Sequence, residues 1–415
     1  MNDTEDIAMR TAGRFVERLL RLKHDNSYEI YCLCVGDLSF PEQPGVKTLD
    51  CPDGRWTVLD SSRYKLVSGP DGGFWEFFSK RTGFDIKLGR TDDEDPPFCA
   101  CGPTIADIEI VSGKCPKVNG RNCRFCYKSN GGDAVEMMKP QKLNTILEMI
   151  GPQLCQVAFG ITGFYTNPYF PEMLKLCRSK GIIPNYTANG VDIDDAAVKE
   201  TLDSCGRVAI SCYEDAKDLC YSTMAKFGKE AERRGIRFPC NIHVVLSQET
   251  EKHAVSVLED AVSGIVPNLG SIIFLRLKNV GRAKNLDPYL PVETYERILQ
   301  TAAEKGISVG FDSCGCELAA QAMKKLKLDY MLPSLEKCES SRFSCYVNVF
   351  GQFYNCSFCE QDKANHDPML PYGYSSFVDF WNSPEVGQLR NPAGGWKCPS
   401  CPFFDLDRKQ SDKEK

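Results

Sequence analysis

The stretch CPKVNGRNCRFCYKSN, residues 115–130, sets Cys115, Cys123 and Cys126 within twelve positions. Cys123 and Cys126, two residues apart, can aim both sulfurs at one metal centre from a tight loop, and Cys115 can join from the preceding turn. Structural zinc sites close with four ligands. A cubane cluster held by three thiolates instead leaves one iron without a protein ligand, open to a small molecule. On spacing alone the loop reads equally as that open cluster or as a zinc loop borrowing its fourth ligand from Cys99, Cys101 or a more distant residue.

A second set of thiols lies in CESSRFSCYVNVFGQFYNCSFCEQ and WKCPSCPFF: Cys338, Cys345, Cys356, Cys359, Cys398 and Cys401. Cys338, Gly351 and Cys356 form a C-x12-G-x4-C pattern around VNVFGQFYNC, which reads as a hairpin whose turn needs the glycine. Cys356/Cys359 and Cys398/Cys401 are CxxC pairs. Taken alone, this segment reads best as a zinc module. Cys155, Cys177, Cys205, Cys212, Cys220 and Cys240 are scattered singly through periodic segments and read as small buried hydrophobes. Cys314 and Cys316 in FDSCGCE read the same way, with extra ligands or a redox-active thiol as the other reading. His24, His243, His253 and His366 are dispersed, and no carboxylate pair stands out, so no residue is assigned a catalytic role.

The elements that must position these residues follow from the pattern between Ile105 and about Lys327. Short β-rich runs (IADIEIV, QVAFGI, IPNYTA, RVAISC, NIHVVL, SIIFLRL, ISVGF) alternate with helical stretches such as PEMLKLCRSKG, DDAAVKETLDSCG and VETYERILQTAAEKG. Six or seven βα units in a row imply a parallel sheet with helices outside, and in such folds the chemistry sits at the carboxyl ends of the strands. Residues 1–98 predict an amphipathic helix over Asp6–Lys23 and a hairpin around Thr82-Gly83, with RTDDEDPP as the boundary. Residues 328–405 are rich in Cys, Pro and aromatics and need metal rather than a large core to hold them, and 406–415 form a charged tail.

Composition narrows the setting. A chain of 415 residues with 42% hydrophobic residues can fill a sizeable core, and a net charge of −6 argues against a broadly basic surface for nucleic acid or anionic membrane. The 22 cysteines, with no long apolar run and no signal-like start, point to a cytoplasmic protein of reduced thiols rather than a disulfide framework.

A three-cysteine loop after the first strand of a βα barrel, with Phe125 before the last cysteine and Tyr127 after it, resembles the radical S-adenosylmethionine (SAM) superfamily over residues 105–327. Its later landmarks come in order: FGITG (Gly160–Gly163) after the second strand, TANG (Thr187, Asn189) after the third, Ser211 ending the fourth, FLRLKNVGRAK around the sixth and FDSC after the seventh. There are two departures. Seven residues rather than three separate Cys115 from Cys123, and Gly163 stands where the family turn usually carries a Glu or other polar group near the methionyl amine.

The resemblance implies a partial (β/α)6-type TIM-like barrel over residues 99–327, with an N-terminal α+β extension and a small Cys-rich C-terminal domain. It implies a [4Fe-4S] cluster on Cys115, Cys123 and Cys126. There SAM would be cleaved reductively to methionine and a 5′-deoxyadenosyl radical that abstracts hydrogen from a substrate. By the same resemblance Phe125 and Tyr127 lie near the adenine, Asn189 and Ser211 near the ribose or methionyl carboxylate, and Arg276 near the carboxylate. Gly160, Thr162, Gly163 and Thr187 complete the cofactor-binding set. Arg276 also reads as a satisfied interior strand residue, and NVGRAK as a loop with solvated charges.

The hairpin and late CxxC resemble the auxiliary-cluster extension called SPASM or, in its shorter form, twitch, which implies one further [4Fe-4S] cluster drawn from the six downstream thiols. Members with this extension commonly modify peptides or proteins. The expectation is therefore an oxidoreductase of maturase type acting on a peptide or protein side chain, supplied with electrons by a flavodoxin or ferredoxin. A nucleoside, nucleic acid or sugar substrate is the second reading, and a zinc-binding protein without catalysis the third.

Overall fold

A computed structural model describes residues 3–21, 27–39, 42–90, 96–361, 367–390 and 401. Cys398, His24, His366, most of the RTDDEDPP boundary and the charged tail lie outside the described residues.

The chain opens with helices α1 (Asp3–Arg21) and α2 (Ser27–Leu38), then an antiparallel meander of β1 (Gly45–Cys51), β2 (Gly54–Asp60), β3 (Tyr64–Ser68), β4 (Trp75–Ser79) and β5 (Asp85–Leu88). The β4–β5 hairpin turns at Thr82-Gly83, where the sequence places it. Phe15 and Leu19 of α1 pack on Tyr64, Leu66, Trp75 and Phe77, covering one face of this sheet. Its other face, through Trp56, Val58 and Val67, packs against Cys99, Cys101 and Phe343. With both faces covered, β3 and β4 are buried along their whole length.

The body of the molecule is a nine-stranded sheet. Its parallel strands from the barrel are β6 (Ile105–Glu109), β9 (Gln156–Gly160), β10 (Ile183–Ala188), β11 (Arg207–Ser211), β12 (Cys240–Leu246), β13 (Leu269–Arg276) and the three-residue β14 (Val309–Phe311). A two-stranded ribbon, β7 (Val111–Gly113) with β8 (Val135–Met137), sits between the first two. Helices α3 (Pro140–Ile150), α4 (Phe170–Ser179), α5 (Asp195–Ser204), α6 (Lys217–Arg233), α7 (Glu251–Val262), α8 (Val292–Lys305) and α9 (Cys316–Lys325) each return the chain to the next strand. Their buried faces pack against the apolar side of the strands, which sets them outside the sheet.

Period-two patterning decides what faces where. In β12, Cys240, Ile242, Val244 and Leu246 are buried under the helices, and Asn241, His243 and Val245 face the lumen. The same alternation sends Asp107 and Glu109 inward from β6, opposite Ala106 and Ile108 in the core. A closed (β/α)8 barrel fills its lumen with branched apolar side chains. This one leaves Asp107, Asn185, Thr187, Asn241 and His243 there, so the interior is a polar chamber.

The partial barrel expected from sequence is present, with an addition at its edge. Strand β15 (Ser344–Val347) runs parallel to β6, pairing Cys345 with Ala106 and Tyr346 with Asp107, and β16 (Phe353–Tyr354) returns antiparallel beside it. The hairpin turn uses Gly351 at φ +80°, and the Asn348 side-chain carbonyl accepts from the Phe350 and Gln352 N–H groups, 3.1 and 2.9 Å. Short helices α10 (Phe377–Trp381) and α11 (Pro384–Leu389) follow, and the Trp381 indole N–H donates to the Cys99 carbonyl at 2.8 Å.

The N-terminal sheet meets the barrel at the amino ends of its strands. The buried Lys65 ammonium donates to the carbonyls of Pro152 (2.9 Å) and Leu154 (2.7 Å), just ahead of β9, and Arg207 at the start of β11 donates to the Thr82 carbonyl. The opposite end of the barrel is left for chemistry. Among the described residues no helix is long and apolar enough to cross a membrane.

Candidate active site at the carboxyl ends of the strands

The loop carrying Cys115, Cys123 and Cys126 emerges from β7 and returns through β8, so the ribbon clamps its base beside the end of β6. A second clamp comes from across the barrel. The Arg282 guanidinium donates to the carbonyls of Cys123 (Nε, 2.9 Å), Ser129 (Nη1, 3.3 Å) and Asn130, while its backbone N–H donates to the Cys126 carbonyl at 3.0 Å. Only a guanidinium offers donors in a fork wide enough for three carbonyls. Gly281 beside it has φ +60°, and a Cβ there would strike the carbonyl groups of Cys126 and Tyr127. The NVGRAK segment is thus a brace for the cysteine loop and not a stretch of solvated charge.

The three thiols are half-buried, with Cys123 and Cys126 near enough to act on Cys115. Burial pushes the Cys115 thiol up to about 11, aided by Cys126 and Cys123. Burial raises Cys123 as well, against the pull of the Phe125 N–H, and the Tyr213 hydroxyl reaches the same sulfur. A bound cation reverses this preference by taking up thiolate charge. Among the described residues no three His, Cys, Asp or Glu side chains converge tightly enough for one metal ion. A cubane meets each thiolate through a different iron, which suits a more widely spread set. Cys99 and Cys101, whose sulfurs are 3.3 Å apart, belong to the hydrophobic cluster under the N-terminal sheet and not to this loop.

The other residues singled out from sequence fall into two groups. Around Cys115 gather the turn after β9 and the loop after β10. The Cys115 thiol lies 3.4 Å from the Thr162 carbonyl, and Asn189 donates through Nδ2 to the carbonyls of Pro116 (3.2 Å) and Thr162 (3.4 Å). Asn189 therefore stitches two loops together. Gly160 ends β9 opposite Glu109 and is exposed, and a Cβ there would press on Glu109 Cα at 3.2 Å. Ser211 ends β11 and bonds the Tyr213 hydroxyl, and Thr187 reaches His243 Nδ1 at 3.3 Å. Phe125 packs beneath the Arg124 guanidinium, 4.6 Å from its centroid.

Two members of the set point elsewhere. Tyr127 turns toward the C-terminal thiol loop, bonding Ser357 and packing on Phe358 with ring centroids 4.8 Å apart. Arg276 shares the outward side of β13 with Ile272 and Phe274, is 6% exposed, and donates to the Cys314 carbonyl at 3.4 Å.

The downstream thiols divide similarly. Cys356 and Cys359 sit in one tight turn near Cys338, and the hydrogen bond from Cys359, with burial, holds the Cys356 thiol well above the usual range. Cys314, raised by burial, feels Cys356 and Cys338 from the loop after β14. Cys345, by contrast, lies in the barrel's hydrophobic core beside Ala106. Cys401 is half-buried, and Cys398 lies outside the described residues. The six singly scattered cysteines are all buried.

Between the two cysteine loops runs a buried charge network that sequence reasoning did not find. Lys128, directly after Tyr127, pairs with Glu109 (3.1 Å) and with Glu360, which follows Cys359. The Tyr346 hydroxyl donates toward Glu109 (3.0 Å) and Glu360 (2.9 Å), and Asn348 donates to Glu360 at 2.9 Å. Burial pushes the Glu109 carboxyl up while Lys128 pulls it down. Two residues before Glu109 on β6, Asp107 is exposed toward the chamber. Its carboxyl is pushed up to about 7, first by desolvation and then by Glu339. His243 is brought down to about 4 by desolvation, so it is neutral at pH 7.

No protein-family model matches the sequence. The chain is 23% identical over 307 residues, 69% of its length and 78% of the relative's, to the mycofactocin maturase MftC of Mycobacterium ulcerans (strain Agy99). Two crystal structures of Streptococcus suis SuiB share its fold at 14% identity. The one bound to S-adenosylmethionine gives a TM-score of 0.53, covering 70% of this chain and 68% of that one. The one bound to the precursor peptide SuiA also gives 0.53, covering 70% and 67%. The likeness to the solved structures is one of fold, and in this chain the part-open barrel carries a three-cysteine loop clamped at its mouth and a cysteine-bearing hairpin on the first strand's edge.

Proposed function

We propose that the protein is a radical SAM maturase that modifies a side chain of a peptide or protein. The observation that carries this reading is the proximity of Cys115, Cys123 and Cys126, near enough to act on one another, at the carboxyl-end mouth of a partial parallel barrel. Its fold is shared with a protein solved with SAM and with a precursor peptide. Cys115, Cys123 and Cys126 would hold a [4Fe-4S] cluster, which would supply an open iron for SAM and an electron for its reductive cleavage to a hydrogen-abstracting radical.

The chain's own residues do the rest. Arg282 and Gly281 hold the cysteine loop in one conformation, which fixes where the radical is released. The barrel walls exclude bulk water and stray reductant. Asp107, its carboxyl raised to about 7, can exchange a proton with a bound substrate. Cys338, Cys356 and Cys359 fit one auxiliary cluster, with Cys314 the described thiol best placed to join them. Lys128 and Glu360 tie that loop to the first. The reading includes a flavodoxin or ferredoxin as reductant and a cytoplasmic setting, in keeping with every described cysteine being a free thiol.

The test is anaerobic reconstitution with iron and sulfide, then dithionite and SAM, with 5′-deoxyadenosine as product. The expected result is brown protein with about eight irons per chain, slow 5′-deoxyadenosine formation, and loss of that product in Cys123→Ala and Cys126→Ala. Colourless, zinc-loaded protein that leaves SAM intact would overturn the reading.

A further inference from the structure

Two buried polar atoms beside Cys115 have no partner among the described residues: Thr162 Oγ1 in the turn after β9 and Asp192 Oδ1 in the loop after β10. The other Asp192 oxygen, Oδ2, accepts the Tyr165 N–H at 3.2 Å, so the carboxylate is held in place. Its orientation is further set by Gly163. A Cβ there would come within 2.6 Å of Asp192 Oδ2 and 2.6 Å of Pro116 Cγ, so the absence of a side chain at 163 is what admits the carboxylate. Asp192 is also near enough to act electrostatically on the Cys115 thiol. A buried carboxylate oxygen and a buried hydroxyl left without donors each cost free energy that a ligand's N–H groups would recover.

We infer that Asp192 Oδ1, assisted by Thr162 Oγ1, receives the amino group of the amino-acid moiety of SAM. The acid is delivered from the loop after β10 because Gly163 leaves the turn after β9 without one. The assignment rests on the SAM-binding reading above and names the residue that discriminates the amino-acid end of the cofactor. Asp192 is a binding and positioning residue, and the hydroxyl of Thr162 takes the smaller share because a neutral acceptor holds an amine less strongly than a carboxylate does.

The experiment compares two probes on the reconstituted full chain by equilibrium binding. S-adenosylhomocysteine carries the amino-acid moiety, and 5′-methylthioadenosine lacks it. In Asp192→Asn the affinity for S-adenosylhomocysteine falls about tenfold or more while that for 5′-methylthioadenosine stays within about twofold, because charge-assisted hydrogen bonds are the stronger ones. Thr162→Val gives a smaller loss of the same selectivity, and retained 5′-methylthioadenosine binding reports that each variant is folded. Unchanged S-adenosylhomocysteine binding in Asp192→Asn, or equal loss for both probes, overturns the assignment and leaves the radical SAM reading standing. Failure of the unsubstituted protein to bind either probe removes both.

Discussion

At the scale of single residues, Asp107 is the group whose ionisation the fold alters most consequentially for the lumen. Its carboxyl is raised from an ordinary 3.8 to about 7, so the folded chain keeps a proton that the unfolded chain gives up between those values. The stability this confers is fully present below about pH 3.8 and is lost as pH rises through about 7. Asp107→Asn removes the ionisation. Thermal melts across pH 4 to 7.5 are therefore expected to show the unsubstituted protein declining relative to the variant as pH rises, while parallel curves would contradict the assignment. The lumen position of Asp107 and Glu109 was legible in IADIE, where period two puts both carboxylates on one face opposite Ala106 and Ile108. The pairing of Lys128 with Glu109 and Glu360 was not, since Glu360 lies 232 positions from Lys128.

At the scale of elements, the cysteine loop is rigid because two separate pieces of chain grip it. Its own ribbon, β7 with β8, sets the base, and the turn around Gly281-Arg282 sets the tip. Gly281→Ala forces a left-handed residue with a side chain into the carbonyl groups of Tyr127 and Cys126. Iron retained after reconstitution and desalting is expected to fall below about half of the unsubstituted level in this variant, because strain of about 1–3 kcal/mol is shifted onto the ligand loop. Arg282→Lys is expected to lie between the two, keeping the charge but losing the fork. Undiminished iron in both would show that the brace is dispensable. Seven barrel strands and the three barrel helices quoted from the sequence all appear, IPNYTA with the same ends as β10. The strongly periodic segments were readable because each buries one face and leaves the other to the lumen or solvent. Helix α2 and strands β1 to β3 were not delimited from sequence; in β3 alternation is lost because both faces are covered by distant parts of the chain.

At the scale of the whole molecule, the chain divides its ends by task. The N-terminal sheet closes the amino ends of the barrel strands through Lys65 and Arg207, away from the cysteine loops. The C-terminal hairpin instead joins the barrel's own sheet beside β6, which carries its CxxC turn to the mouth and sets Phe358 against Tyr127. That edge pairing explains why two thiol sets remote in sequence face one chamber, and nothing in the local pattern of either segment announces it. The central claim is that one corner of the cluster on Cys115, Cys123 and Cys126 is free to bind SAM. The most direct measurement is electron paramagnetic resonance of the dithionite-reduced, reconstituted protein before and after SAM is added. The expected result is a reduced [4Fe-4S] signal whose shape changes on addition and which is missing from Cys126→Ala. A signal indifferent to SAM, or identical in that variant, would contradict it.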